Sequence, residues 1–194
     1  IPVSITGKGS DLITANGAML MIDLGGHDRY EGRLGLGVRY ASVLLDLSGD
    51  DRYKPQDLSL GAGILGVGIT RDYEGDDVYE TGHLSLGSGL AGVGIFVDSE
   101  GNDTYRGKTL GQGFGMFGAG FMLDGSGDDA YDVALYGQGS ARTAGVGLLV
   151  DRAGRDTYRA GGFLLNSPLF SDVHYSFSQG FGSGYREDTG GTSG

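Results

Sequence analysis

The chain has 194 residues, no cysteine, 41 glycines against 3 prolines, and a formal net charge of −11. This excludes a disulfide framework, a thiolate metal site and a cysteine nucleophile. Without a basic stripe to meet phosphates, nucleic acid is not an expected partner, and with no apolar run near the roughly 20 residues a bilayer demands, neither is membrane insertion.

Taken in chain order, one eight-residue phrase recurs six times: Asp, two variable residues, Gly, one variable residue, Asp, one variable residue, Tyr. The copies occupy 23–30, 46–53, 72–79, 98–105, 124–131 and 151–158, and their lead aspartates stand 23, 26, 26, 26 and 27 residues apart. A fixed period in this range is the signature of a stacked repeat. More than half of the 25 acidic residues fall inside the six phrases. The chain begins at Ile1 rather than Met, as expected of a mature product or an excised fragment, which leaves room for a removed signal peptide.

Before each phrase a strand is predicted, with apolar residues at alternate positions. Leu20, Val43, Ile69, Ile95, Phe121 and Leu148 stand three residues ahead of the lead Asp; Ala18, Ala41, Val67, Val93, Ala119 and Val146 stand five ahead. These columns are expected to face the core. The opposite face carries glycine pairs such as Gly66 and Gly68, Gly92 and Gly94, Gly118 and Gly120. A second Gly-x-Gly unit recurs upstream, at Gly61 and Gly63, Gly87 and Gly89, Gly113 and Gly115. Two readings account for the glycines: a coil so thin that its walls nearly touch, or a flat outer wall on which another surface lies. No segment shows helical spacing over ten residues. The pattern predicts one all-β domain over 1–194, a parallel β-helix (β-solenoid) of six to seven coils of about 26 residues, wound right-handed.

The turns carry the chemistry. Gly25-Gly26-His27-Asp28-Arg29-Tyr30, Gly75-Asp76-Asp77-Val78-Tyr79, Gly101-Asn102-Asp103-Thr104-Tyr105 and their counterparts resemble the calcium-binding Gly/Asp turn repeat of RTX proteins, Gly-Gly-x-Gly-x-Asp-x-U-x with U bulky and apolar. The resemblance implies that Asp28, Asp51, Asp77, Asp103, Asp129 and Asp156 bind calcium between successive turns and that each Tyr plugs the core. RTX repeats run every nine residues; here one motif occurs per coil, with an added lead Asp.

Elementary electrostatics points the same way. Like charges about 5 Å apart repel by roughly 0.8 kcal/mol even at the dielectric of water, and stacking places one such pair at every step of each column. Calcium takes six to eight oxygens in flexible geometry, which fits carboxylates and turn carbonyls better than magnesium, zinc or copper would be fitted. Candidate ligands are Asp23 and Asp28; Asp46, Asp50 and Asp51; Asp72, Asp76 and Asp77; Asp98, Asn102 and Asp103; Asp124, Asp128 and Asp129; and Asp151 and Asp156. Asp50, Asp76 and Asp128 would add a carboxylate, Asn102 a neutral oxygen and His27 little, while Arg155 opposes a cation or self-neutralises its turn. The competing reading is that these aspartates cap turns by bonding backbone amides.

After the sixth phrase the repeat stretches around an apolar insertion near 163–175, then resumes toward Asp188. The insertion is expected to cap the last coil; an uncovered end would instead invite head-to-tail stacking of copies. Together these features predict a non-catalytic, extracellular, calcium-stabilised structural or adhesive element, assembling end to end and engaging a cell surface, a polysaccharide or a mineral. Alternatives are a polysaccharide-acting β-helix enzyme and a mineral- or ice-surface binder.

Overall fold

A computed structural model describes residues 2–14, 17–162, 164–166 and 170–183. It is all-β, and its strands form three parallel walls. The aliphatic sheet has seven strands, Val3–Ile5, Leu20–Asp23, Ala41–Asp46, Val67–Arg71, Val93–Val97, Ala119–Asp124 and Val146–Asp151. The tyrosine sheet also has seven, Leu12–Ile13, Arg29–Gly32, Arg52–Pro55, Val78–Glu80, Thr104–Thr109, Ala130–Leu135 and Thr157–Ala160. The glycine sheet has six two-residue strands, Gly37–Val38, Gly63–Ile64, Gly89–Leu90, Gly115–Met116, Ala141–Arg142 and Gly182–Ser183.

Successive repeats stack in register. Val67, Val93 and Ala119 pair in one row, and Tyr53, Tyr79 and Tyr105 in another. This is the β-solenoid the period predicts. Among the described residues its complete three-sided coils number five rather than six to seven: no described residue before Leu20 forms a glycine-sheet strand, and the last coil is interrupted by the insertion.

One expectation is reversed. The aliphatic columns do not face the core: Val93, Ile95 and Val97 lie on the outside, while Gly94 and Phe96 point in. The reason is backbone proximity. A Cβ on Gly94 would sit 2.2 Å from the Ser88 carbonyl oxygen, and one on Gly120 would sit 2.0 Å from that of Phe114. The aliphatic and glycine sheets therefore press backbone on backbone, a gap that only glycine fits. The thin-coil reading of the glycines holds.

The remaining interior is filled by Met21, Leu44, Phe96 and Met122 from the aliphatic sheet, Leu34, Leu60 and Leu86 from the turns, and the column of repeat tyrosines. Tyr30, Tyr53, Tyr79, Tyr105, Tyr131 and Tyr158 stack ring on ring with centroids 4.3–5.1 Å apart. Each stacked aromatic pair contributes on the order of 1 kcal/mol beyond burial.

The ends differ. Ile13 pairs with Tyr30 and covers it. At the other end Leu164–Asn166 and Phe170–Tyr175 form an antiparallel hairpin, part of the predicted insertion. It leaves Tyr158 40% exposed, with Leu164 and Leu165 themselves open to solvent. Among the described residues it is not the end cap expected from its apolar sequence. Phe163, residues 167–169 and the turn expected at Asp188 lie outside the described residues.

Candidate metal centre at the Asp–Tyr turns

The turn that ends each aliphatic strand directs the lead Asp inward and starts the next wall with Tyr seven residues later. Both are buried: Asp23, Asp46, Asp72, Asp98 and Asp124 are at most 2% exposed. Every tyrosine hydroxyl of the first three phrases reaches Oδ2 of its own lead Asp and of the lead Asp one coil on. Tyr53 lies 2.6 Å from both Asp46 and Asp72, and Tyr79 lies 3.0 Å from Asp72 and 2.8 Å from Asp98. Tyr30 bridges Asp23 and Asp46 in the same way.

The run Asp23–Tyr30–Asp46–Tyr53–Asp72–Tyr79–Asp98 thus holds six oxygen–oxygen links but only three phenol protons. A hydroxyl donates once. A remaining link closes where the carboxyl group itself holds a proton. Desolvation, with the charges of neighbouring aspartates, provides for this by raising Asp72 to about 7 and Asp98 well above the usual range.

The second Asp of each phrase works differently. Its Oδ1 accepts the backbone N–H of the second Asp one coil earlier: Asp28 donates to Asp51 at 2.5 Å, Asp51 to Asp77 at 2.6 Å, Asp77 to Asp103 and Asp103 to Asp129 at 2.7 Å, and Asp129 to Asp156 at 3.1 Å. These are caps between coils rather than within a turn. Burial dominates here as well, raising Asp51 to about 9, Asp77 to about 11, and Asp103 and Asp129 to about 7, against the opposing pull of the accepted amide.

Two acid columns, each spending one oxygen on fixed partners, leave a set of orphans. Oδ1 of Asp46, Asp72 and Asp98 and Oδ2 of Asp28, Asp51 and Asp129 are buried without a hydrogen-bond partner. Among the described residues the carboxylates converge in four groups: Asp46, Asp51 and Asp72; Asp77, Asp98 and Asp103; Asp103, Asp124 and Asp129; and Asp129, Asp151 and Asp156. Within each, one oxygen per residue lies within 4.8 Å of the others, and each group joins two successive coils. Orphaned, buried, oxygen-only donors fit a hard cation such as calcium.

Asp23 and Asp28 lie in the same columns but outside these four groups. Asp50, Asp76, Asn102 and Asp128 form a separate, exposed ladder, in which each side chain accepts the backbone N–H one coil later. His27 starts that ladder by accepting from Asp50, and Arg155 ends it, paired to Asp128 at 2.6 Å.

The tyrosine hydroxyls are the part that the sequence reading misses. The available signal was Tyr in all six copies where an apolar residue would fill the core, because a buried phenol needs a partner. No protein-family model, curated protein or solved structure matches the chain.

Proposed function

We propose that the chain is a non-catalytic structural β-solenoid of the extracellular space, whose coils are locked together by calcium held between the two aspartate columns. The observation that carries this reading is the convergence of carboxylates in threes at four junctions between coils, each group holding at least one buried oxygen without a partner and the Asp46, Asp51 and Asp72 group holding three. Isolated buried charge is too costly to persist without a compensating partner. In each group the lead Asp would offer Oδ1, since its Oδ2 faces tyrosine, and the second Asp would offer Oδ2, which in Asp77 and Asp103 also accepts from Tyr79 and Tyr105. When bound, the ion supplies charge compensation and a cross-link between successive turns. The chain's own residues fix the carboxylates: tyrosine hydroxyls hold the lead column, and backbone amides of the preceding coil hold the second.

The uncovered Tyr158 at one end supports end-to-end assembly, since a next turn would continue the ring stack. A regular rod of this kind suits a structural or adhesive role on a cell surface, a polysaccharide or a mineral.

Equilibrium dialysis of the metal-free chain against calcium is the test. Uptake approaching four ions per chain is expected from the four groups, with magnesium held more weakly. No uptake of calcium at millimolar concentration would refute the reading and leave protons as the neutralising species.

A further inference from the structure

The outer wall of the aliphatic sheet takes no part in the Asp–Tyr columns, yet it is apolar from end to end. Its middle column runs through all seven strands and includes Val43, Ile69, Ile95, Phe121 and Leu148. Columns of the same kind flank it, and among the described residues Arg71 is the one charge in the three. The strands contact one another and, on the inner side, the glycine sheet. Exposure climbs at the end rows, to 53% at Val3 and 57% at Val146. That is the pattern of rows shielded by neighbouring rows rather than by a covering layer.

The tyrosine sheet shows how this chain builds a wall that faces water. Its outer positions carry Arg52, Lys54 and Arg106, all converging on Glu80. The aliphatic wall has no such ladder.

We propose that the aliphatic wall is an interface with a second copy of this chain, paired face to face. Seven rows about 4.8 Å apart and three columns about 6.8 Å apart give a footprint of roughly 600 Å² once side-chain widths are included. That is the upper end of what a monomer leaves bare, and near the roughly 800 Å² per partner of a standard stable interface. A flat array with a strand-spacing repeat is nested in every row at once by a surface of the same repeat, and a second copy supplies one. The wall lacks acids, so pairing brings none of the chain's negative charge into the interface. A two-fold axis parallel to the solenoid axis sets Arg71 opposite the column of Val67 rather than against its own counterpart. Sheets so paired lie about 10 Å apart, like the layers of a β-sandwich.

Sedimentation equilibrium of the full chain, in calcium and in excess chelator, tests the proposal. The wild type is expected to dimerise at micromolar concentration, undiminished by high salt, with any end-to-end growth in calcium built from that dimer. The double variant Ile69→Glu, Ile95→Glu points into solvent and should keep the strand circular-dichroism spectrum, with dimer affinity down at least 100-fold. If the glutamates prevent folding, Ile69→Thr with Ile95→Thr retains strand preference and gives the same readout. Lys54→Glu on the tyrosine wall should leave the dimer intact. Face pairing stops at two, whereas head-to-tail stacking grows without limit. A wild-type monomer up to 100 µM, a folded double variant that still dimerises, or an open-ended series unchanged by the double variant would each overturn the proposal. So would a monomer that instead binds phosphatidylcholine vesicles through this wall.

Discussion

The phrase at 98–105 and the phrase at 151–158 share a template, but they are in different physical states. In the first, Asp98 and Asp103 are 2% exposed, Tyr105 is fully buried, and burial drives both carboxyls upward. In the second, Tyr158 is 40% exposed and Asp156 is only partly covered. The difference lies in the neighbours. A carboxylate here becomes a buried, orphaned donor only when the next coil seals it, so the candidate site is a product of stacking rather than of the motif alone.

The largest way to disturb an interior coil is to thicken it. Gly120→Ala would place a Cβ 2.0 Å from the Phe114 carbonyl oxygen. Since both are backbone walls, the expected cost is about 3 kcal/mol or more, read as loss of a cooperative melt. Gly7→Ala, with nothing within 4 Å, should be nearly silent.

Next in size is pH in the absence of metal. An unfolded Asp releases its proton near 3.9. In the folded chain Asp72, Asp103 and Asp129 hold theirs to about 7 and Asp51 to about 9. Between those limits the folded state binds more protons than the unfolded one, so stability falls as pH rises. The stabilisation is complete below about pH 4 and is lost through pH 7 to 9. Chelator-treated protein should therefore show its highest melting temperature in mild acid, and calcium should flatten the alkaline loss.

Removing one carboxylate separates interior from end. Asp103→Ala strips the acceptor from the buried Asp77 amide, a loss of about 2 kcal/mol by urea denaturation. Asp156→Ala frees the Asp129 amide near the open end and should cost less than half as much. The smallest effect is at the phenols. Tyr79→Phe keeps the ring stack but deletes links to Asp72 and Asp98, at about 1 kcal/mol, whereas Tyr158→Phe should shift the melting temperature barely at all.

The period, the parallel stacking and the inward Tyr column were legible because repetition turns a one-dimensional pattern into a three-dimensional column. The facing of the aliphatic strands was not. Alternation of Val and Ile with Gly normally marks the larger side chains as core, and only the approach of Gly94 to the Ser88 carbonyl reverses that assignment. The turns were partly hidden for a related reason. Leu60 and Leu86 hold positive φ, at 48° and 53°, where glycine would be the expected marker. Within the candidate site, the spacing of acids showed which residues recur. It did not show that Asp50, Asp76 and Asp128 lie on an exposed outer ladder while Asp51, Asp77 and Asp129 are sealed inside.

The central claim is that cations between the aspartate columns hold the coils together. A thermal melt at pH 7.5, followed by circular dichroism in calcium and again in excess chelator, addresses it most directly. The account predicts a large drop in melting temperature on chelation, restored by calcium and only weakly by magnesium. Superimposable melts in calcium and chelator would contradict it, and would leave the packed interior, backbone hydrogen bonds, tyrosine hydroxyls and carboxyl protons to join one coil to the next.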